Sequence, residues 1–184
     1  MGSGEVYGAA RAEIRLITST LKNASYSENV GRRLFGAAAE ASRAAGWTAF
    51  DSGQTAAAER HFASALRAAA SAGDTVTGTN TLAFWAIQHY STGDARGAVD
   101  LIDAALHQAP EIGSARMTAM LHARASRAHA RVGDVRAADR SANAALGAQL
   151  RVGSDFVEVV TLEARNPRLE VRYIVSTVKT ELSE

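Results

Sequence analysis

Small and apolar side chains recur along the chain at helical spacing. Counted from Gly53, Gly93 and Gly133, an alanine follows at the fifth position, a packing residue at the ninth, and an Ala-Leu pair at the twelfth and thirteenth. These residues are Ala58, Phe62, Ala65 and Leu66 in the first copy, Ala98, Ile102, Ala105 and Leu106 in the second, and Ala138, Ala142, Ala145 and Leu146 in the third. Steps of four and three residues place them on one stripe of an α-helix. The fixed interval of 40 residues between the glycines indicates stacked units of supersecondary structure.

The same pattern predicts a chain of seven helices. Glycine at the head of each repeat suits the left-handed end of a helix, where a Cβ is unfavourable, and Asp94 and Asp134 are good caps for the helix that follows. The predicted helices cover residues 5–22, 27–50, 54–72, 75–91, 94–108, 113–132 and 134–149. We expect them to form an antiparallel, right-handed stack in which each helix buries its small-residue stripe against its neighbour.

The composition of the chain changes near residue 150. Residues 1–150 contain 39 alanines and the last 34 residues contain 1, whereas Val, Ile and Thr become frequent there and favour extended chain. We predict a helical domain over 5–150 and an extension over 151–184, with a β-hairpin whose arms cover 156–164 and 169–179. The alternative is a helix over 155–165 followed by an extended segment. Because an isolated hairpin is marginally stable in water, its strands should pack on the helices or pair with a second chain.

The repeat resembles the second half of a tetratricopeptide repeat. The resemblance is carried by the glycine-alanine pattern, by Pro110 after the second Ala-Leu pair, and by Gly46, Ala86 and Ser126, each seven positions before a repeat glycine. It covers about residues 28–149 and implies an all-α fold, a right-handed α-solenoid of helical hairpins. The interval is about six residues longer than in the usual repeat, which implies longer helices or longer loops between repeats.

A narrower resemblance comes from three segments of the chain. Residues 30–40, 45–53 and 65–69 resemble the C-terminal repeat region of actinobacterial transcriptional regulators whose N-terminal part is a helix-turn-helix. The resemblance implies the sensory or oligomerisation region of such a regulator. The DNA-binding part is absent from this sequence, which implies either a truncated chain or a stand-alone relative.

Composition narrows the classes of function. The hydrophobic share of 47% and the charged share of 21% are ordinary for one soluble domain. The sequence shows no long apolar run and no secretory leader, so we expect a cytoplasmic protein with no membrane contact. The lack of cysteine removes disulfides and zinc–thiolate sites, and a net charge of +1 argues against direct nucleic-acid contact by this chain.

The sequence contains no recognisable catalytic motif. None of its five histidines stands four residues from another, and phosphate-binding loops and nucleophile elbows do not occur. The histidines are His61, His89, His107, His122 and His129. We interpret them as packed or solvated side chains, and we predict a protein that is not an enzyme and that uses neither a metal ion nor a cofactor.

The first helix of each repeat carries a more informative set of side chains. In tetratricopeptide proteins these helices line the inner groove, so the resemblance implies a peptide-binding surface. Asn80 occupies a position at which peptide-binding members of the family often use an asparagine to bind the ligand backbone. The surface would be formed by Arg43, Trp47, Asn80, Phe84, Arg124, Arg127 and Arg131. Aromatic side chains give large contact areas and arginines bind carboxylates at two points, so we expect a groove that is apolar at one end and basic at the other. Alternatively, the aromatic residues belong to the core and the arginines to a solvated face.

Three hypotheses for function follow from these residues. The leading one is a module that binds a peptide or protein segment, in particular an acidic one, in the groove. The second is a stand-alone homodimerisation scaffold whose C-terminal strands dock on a twin subunit or lie in the chain's own groove. The third is a small-molecule-sensing domain.

Overall fold

The described part of the chain is entirely α-helical. A computed structural model describes residues 3–151, and this range contains seven helices and no β-strand. The helices are α1 (Ser3–Asn23), α2 (Glu28–Asp51), α3 (Thr55–Ala72), α4 (Thr75–Thr92), α5 (Ala95–Ile112), α6 (Ala115–Val132) and α7 (Val135–Gln149). The prediction of seven helices is confirmed. The predicted β-hairpin over 156–164 and 169–179, and the alternative helix over 155–165, lie outside the described residues.

Helix length explains the long interval between repeats. Helices α3, α4, α5 and α6 contain 18 residues each, and only two residues connect each of them to the next helix. The excess over the usual repeat therefore lies in the helices and not in the loops.

Five of the six connections between the described helices contain a glycine in the left-handed conformation. The five glycines with positive φ are Gly53, Gly73, Gly93, Gly113 and Gly133, with φ between 66° and 102°. They recur every 20 residues, twice as often as the sequence pattern indicated, because Gly73 and Gly113 end the second helix of a repeat in the same way. Each of these glycines lets the chain turn sharply into the next helix.

The residue after the glycine caps the next helix in four of the five connections. The side chains of Asp74, Asp94, Ser114 and Asp134 each accept a hydrogen bond from the backbone N–H three residues ahead, at 2.9–3.2 Å. These bonds satisfy one of the N–H groups that a helix leaves without a partner at its start. Gln54, which precedes α3, makes no such side-chain bond.

The expected end of α5 near residue 108 is wrong. The helix continues through Pro110 to Ile112 and ends at Gly113. Proline has a φ that fits a helix, but Pro110 lacks the N–H that would bond the carbonyl of Leu106, and its ring crowds that carbonyl. Helix α5 nevertheless continues to Ile112, where Gly113 ends it.

The small-residue stripe forms the core of the described chain. The alanines at the fifth and twelfth positions of every copy are buried, as are Phe62 and Ile102 at the ninth position, whereas Ala142 is half-buried. One cluster joins α4, α5 and α6 around Ile102 and Leu121. A second joins α2 and α3 around Phe62 and receives Trp85 from α4. Burial of these side chains holds successive helices together.

Contacts between helices follow chain order. Each helix contacts the next one, and α4 also contacts α2 and α6. The helices α2, α4 and α6 are therefore neighbours, and they bring together side chains from three successive units. Tyr7 of α1 also reaches past α2 to His61 of α3, with 3.3 Å between its hydroxyl oxygen and Nε2. None of the described helices is long and apolar enough to cross a membrane.

Candidate functional site

A concave pocket lies on the neighbouring helices α2, α4 and α6. Its volume is ≈ 410 Å³. The lining residues are Trp47 of α2, Phe84, Ile87, Tyr90 and Ser91 of α4, and Arg124, Arg127 and Arg131 of α6. Among the described lining residues the charged side chains are all arginines. The pocket therefore combines an aromatic wall with a row of positive charge.

Aromatic rings from two helices form the first wall. The ring centroids of Trp47 and Phe84 are 5.1 Å apart at 71°, and those of Trp47 and Phe50 are 5.6 Å apart. Trp47 and Phe84 are half-buried and not enclosed. Trp85 takes a different position, because it stacks on Phe62 at 6.1 Å in the core between α2, α3 and α4. Trp85 thus packs against this core cluster and does not line the pocket, whereas Phe84 contacts the cluster and lines the pocket with Trp47.

The arginines of the pocket lie against these rings. The guanidinium carbon of Arg124 is 4.8 Å from the centroid of Phe84, and that of Arg127 is 5.4 Å from the centroid of Tyr90. At these distances the cation is attracted by the electron-rich face of the ring. The aromatic lining residues lie on α2 and α4 and the arginines on α6, so the charged and aromatic groups meet where α4 faces α6.

Two of the residues assigned to the groove stand beside the pocket and do not line it. Arg43 places its guanidinium carbon 5.1 Å from the Phe84 centroid, and it also pairs with Glu40 at 2.6 Å. Glu40 in turn accepts a hydrogen bond from Thr77 at 3.0 Å, so Arg43 belongs to a link between α2 and α4. Asn80 is half-buried on α4, one turn before Phe84, and is absent from the lining.

Tyr90 and Ser91 also line the pocket, although neither belongs to the predicted set. Both could have been found, because Tyr90 stands three residues after Ile87 and Ser91 four residues after it, which is the spacing of one helix face. The five other residues of the predicted set, Trp47, Phe84, Arg124, Arg127 and Arg131, meet at the pocket.

Three of the histidines, His61, His89 and His122, are partly buried or bond a helix cap. Burial, together with the nearby charge of Arg151, lowers the pKa of His122 on α6. Burial, with the nearby charges of Arg11 and Arg60, lowers the pKa of His61.

His89 bonds the side chain of Asp94, which caps α5, at 2.7 Å. The Gly97 N–H and His89 together lower the pKa of Asp94. Within residues 3–151 no histidine joins two other potential metal ligands.

No family model, curated protein or solved structure matches this chain.

Proposed function

We propose that this chain is a non-enzymatic, tetratricopeptide-like α-solenoid that binds an acidic peptide or protein segment along α2, α4 and α6. Two observations support the solenoid arrangement. Contacts run between successive helices and between the first helices of successive hairpins, and the connections repeat every 20 residues. Both are typical of arrays in which each unit contacts only its neighbours.

The pocket chemistry supports an acidic ligand. Carboxylates bind a guanidinium along its N–H edge, often at two points, whereas an aromatic ring packs on its face. Contact with the rings of Phe84 and Tyr90 holds the guanidinium groups of Arg124 and Arg127 beside the aromatic wall of the pocket. The single observation that carries the proposal is this convergence of three arginines and three aromatic rings on one pocket.

The experiment is calorimetric titration of the full chain with pairs of short peptides that differ only in Glu against Gln. We expect the Glu peptides to bind more tightly, and R124A/R127A to weaken their binding at least about tenfold, because a hydrogen bond to a charged group contributes about 1.5–3 kcal/mol. The control R136A/R140A removes two exposed arginines of α7 and should leave affinity unchanged. Equal affinity for Glu and Gln peptides would contradict the proposal.

The wider role that we propose follows from the resemblance to actinobacterial regulators. The module would be the sensory or oligomerisation region of a transcriptional regulator, with ligand occupancy altering the packing of successive hairpins. A helix-turn-helix encoded upstream of residue 1 in the natural reading frame would support this role. An upstream sequence without one would contradict it.

A further inference from the structure

We infer that the pocket has a ligand within its own chain, the segment formed by residues 152–164, which occupies the site as an intramolecular competitor of external peptides. This inference rests on the proposed function of the pocket. Three observations support it: the charge of residues 152–164, the distance that a segment of this length can span, and the place where the described chain ends.

Charge singles out this part of the chain. Residues 152–164 contain Asp155, Glu158 and Glu163 and neither lysine nor arginine. The following residues 165–179 contain four basic side chains and one acidic one. The acidic segment also carries Phe156 and several valines, so it offers both carboxylates for the arginines and apolar groups for the aromatic wall.

The described chain ends beside α6, the helix that carries the pocket arginines. Arg151, the last described residue, is close enough to His122 for its charge to act on that side chain, and His122 belongs to the same helix as the pocket arginines. At a rise of 1.5 Å per residue, Arg131 lies only about 14 Å along α6 from His122. An extended segment of this length covers about 45 Å, so it can reach every arginine of the pocket.

Intramolecular occupancy has a definite thermodynamic consequence. A tethered segment acts at an effective concentration of about a millimolar or more, and an occupied site binds an external ligand with an affinity reduced by the fraction of time that the site is open. The full chain would therefore respond only to partners that displace its own segment.

The experiment titrates a synthetic peptide with the sequence of residues 152–164 into three full-length proteins. These are the wild type, D155N/E158Q/E163Q, and the control E170Q/E181Q/E184Q, which removes the same number of carboxylates outside the segment. We expect the first variant to bind the peptide at least about tenfold more tightly than the wild type and the control. Adding R124A/R127A to that variant should abolish the gain. Circular dichroism checks that each protein is folded.

Other outcomes overturn the inference in distinguishable ways. Equal binding by all three proteins would show an open pocket and would leave the proposed function intact. Binding of Glu peptides without binding of the 152–164 peptide would reject the segment alone, whereas failure of both would reject the pocket as well. If light scattering shows that wild type is dimeric and D155N/E158Q/E163Q monomeric, the segment lies in a second copy, which contradicts occupancy within one chain.

Discussion

Gly46 and Phe62 show how closely α2 and α3 pack. Gly46 is buried on α2, and a Cβ at this position would lie 2.8 Å from the Cδ1 and Cε1 atoms of Phe62. The ring is fully buried with Ala49 and Ala58, so it has little room to withdraw. The small residue seven positions before Gly53 is therefore required by the facing ring and not by its own backbone conformation.

We predict that G46A lowers the free energy of unfolding by about 1–3 kcal/mol, because overpacking forces the ring or the helices to shift. The matched control is G36A on the same helix, where the nearest atom to an added Cβ is the Cβ of Ala72 at 3.9 Å. This control should gain up to about 1 kcal/mol, because alanine is the better helix former. Urea denaturation measures both. Equal stabilities of the two variants would contradict the packing argument.

The pocket shows how far single residues are predictable from the sequence. Helical spacing assigns Phe84 and Ile87 to one face of α4, and the same rule assigns Arg124 and Arg127 to one face of α6. It does not predict that Arg124 meets Phe84. That contact depends on the offset between two helices along their axes, which is determined by how the side chains between α4 and α6, such as Ala86 and Leu121, pack together.

The connections between helices are the most regular elements of the chain. Each of α3, α4, α5 and α6 ends at a left-handed glycine, and the next residue caps the following helix in every one of these cases. The exception stands earlier, at Gln54. Its backbone has φ −91° and ψ 61°, close to the −91° and 69° of Asp94, so an aspartate there would have the geometry of the other caps.

We therefore predict that Q54D stabilises the protein by about 0.5–1 kcal/mol, because the new carboxylate accepts a hydrogen bond from the first turn of α3 and interacts favourably with its positive end. The midpoint of thermal unfolding should rise by a few degrees. The control Q54A should leave it unchanged, since the Gln54 side chain makes no capping bond. An unchanged midpoint for Q54D would show that a capping side chain at position 54 adds no stability.

The sequence predicted which segments form helices better than it predicted where each helix begins and ends. The amphipathic stripe and the caps define each helix, so all seven were predicted. Helix α5 continues past its predicted end near residue 108 to Ile112, although it contains Pro110. The predicted end at residue 72 agrees with Gly73 as the residue that ends α3, whereas Gly113 was predicted to begin the sixth helix and instead ends α5.

In the molecule as a whole, the burial of equivalent leucines depends on where their repeat lies along the chain. Leu66 and Leu106, at the thirteenth position of the first two copies, are half-buried, whereas the equivalent Leu146 is 56% exposed. Val135 and Leu150 of the same region are also exposed. The difference follows from neighbours, because α3 and α5 are each followed by a further hairpin within residues 3–151 and α7 is not.

We predict that L106A destabilises the protein by about 1–3 kcal/mol, because it removes apolar contacts within the cluster of α4, α5 and α6. The same change at the equivalent position, L146A, should alter stability by less than about 0.5 kcal/mol. Chemical denaturation of the two full-length variants gives the comparison. An equal loss of stability for L146A and L106A would mean that Leu146 is buried to the same degree as Leu106.

The two-residue connections also bear on how the number of helices in such a protein changes during evolution. The four connections from Gly73 to Asp134 each consist of a left-handed glycine and a capping residue. A duplicated gene fragment that encodes two helices with their connections would therefore join the existing helices in phase at both of its ends. The array is therefore open to lengthening by whole hairpins, and each added hairpin would contribute one more helix beside α2, α4 and α6.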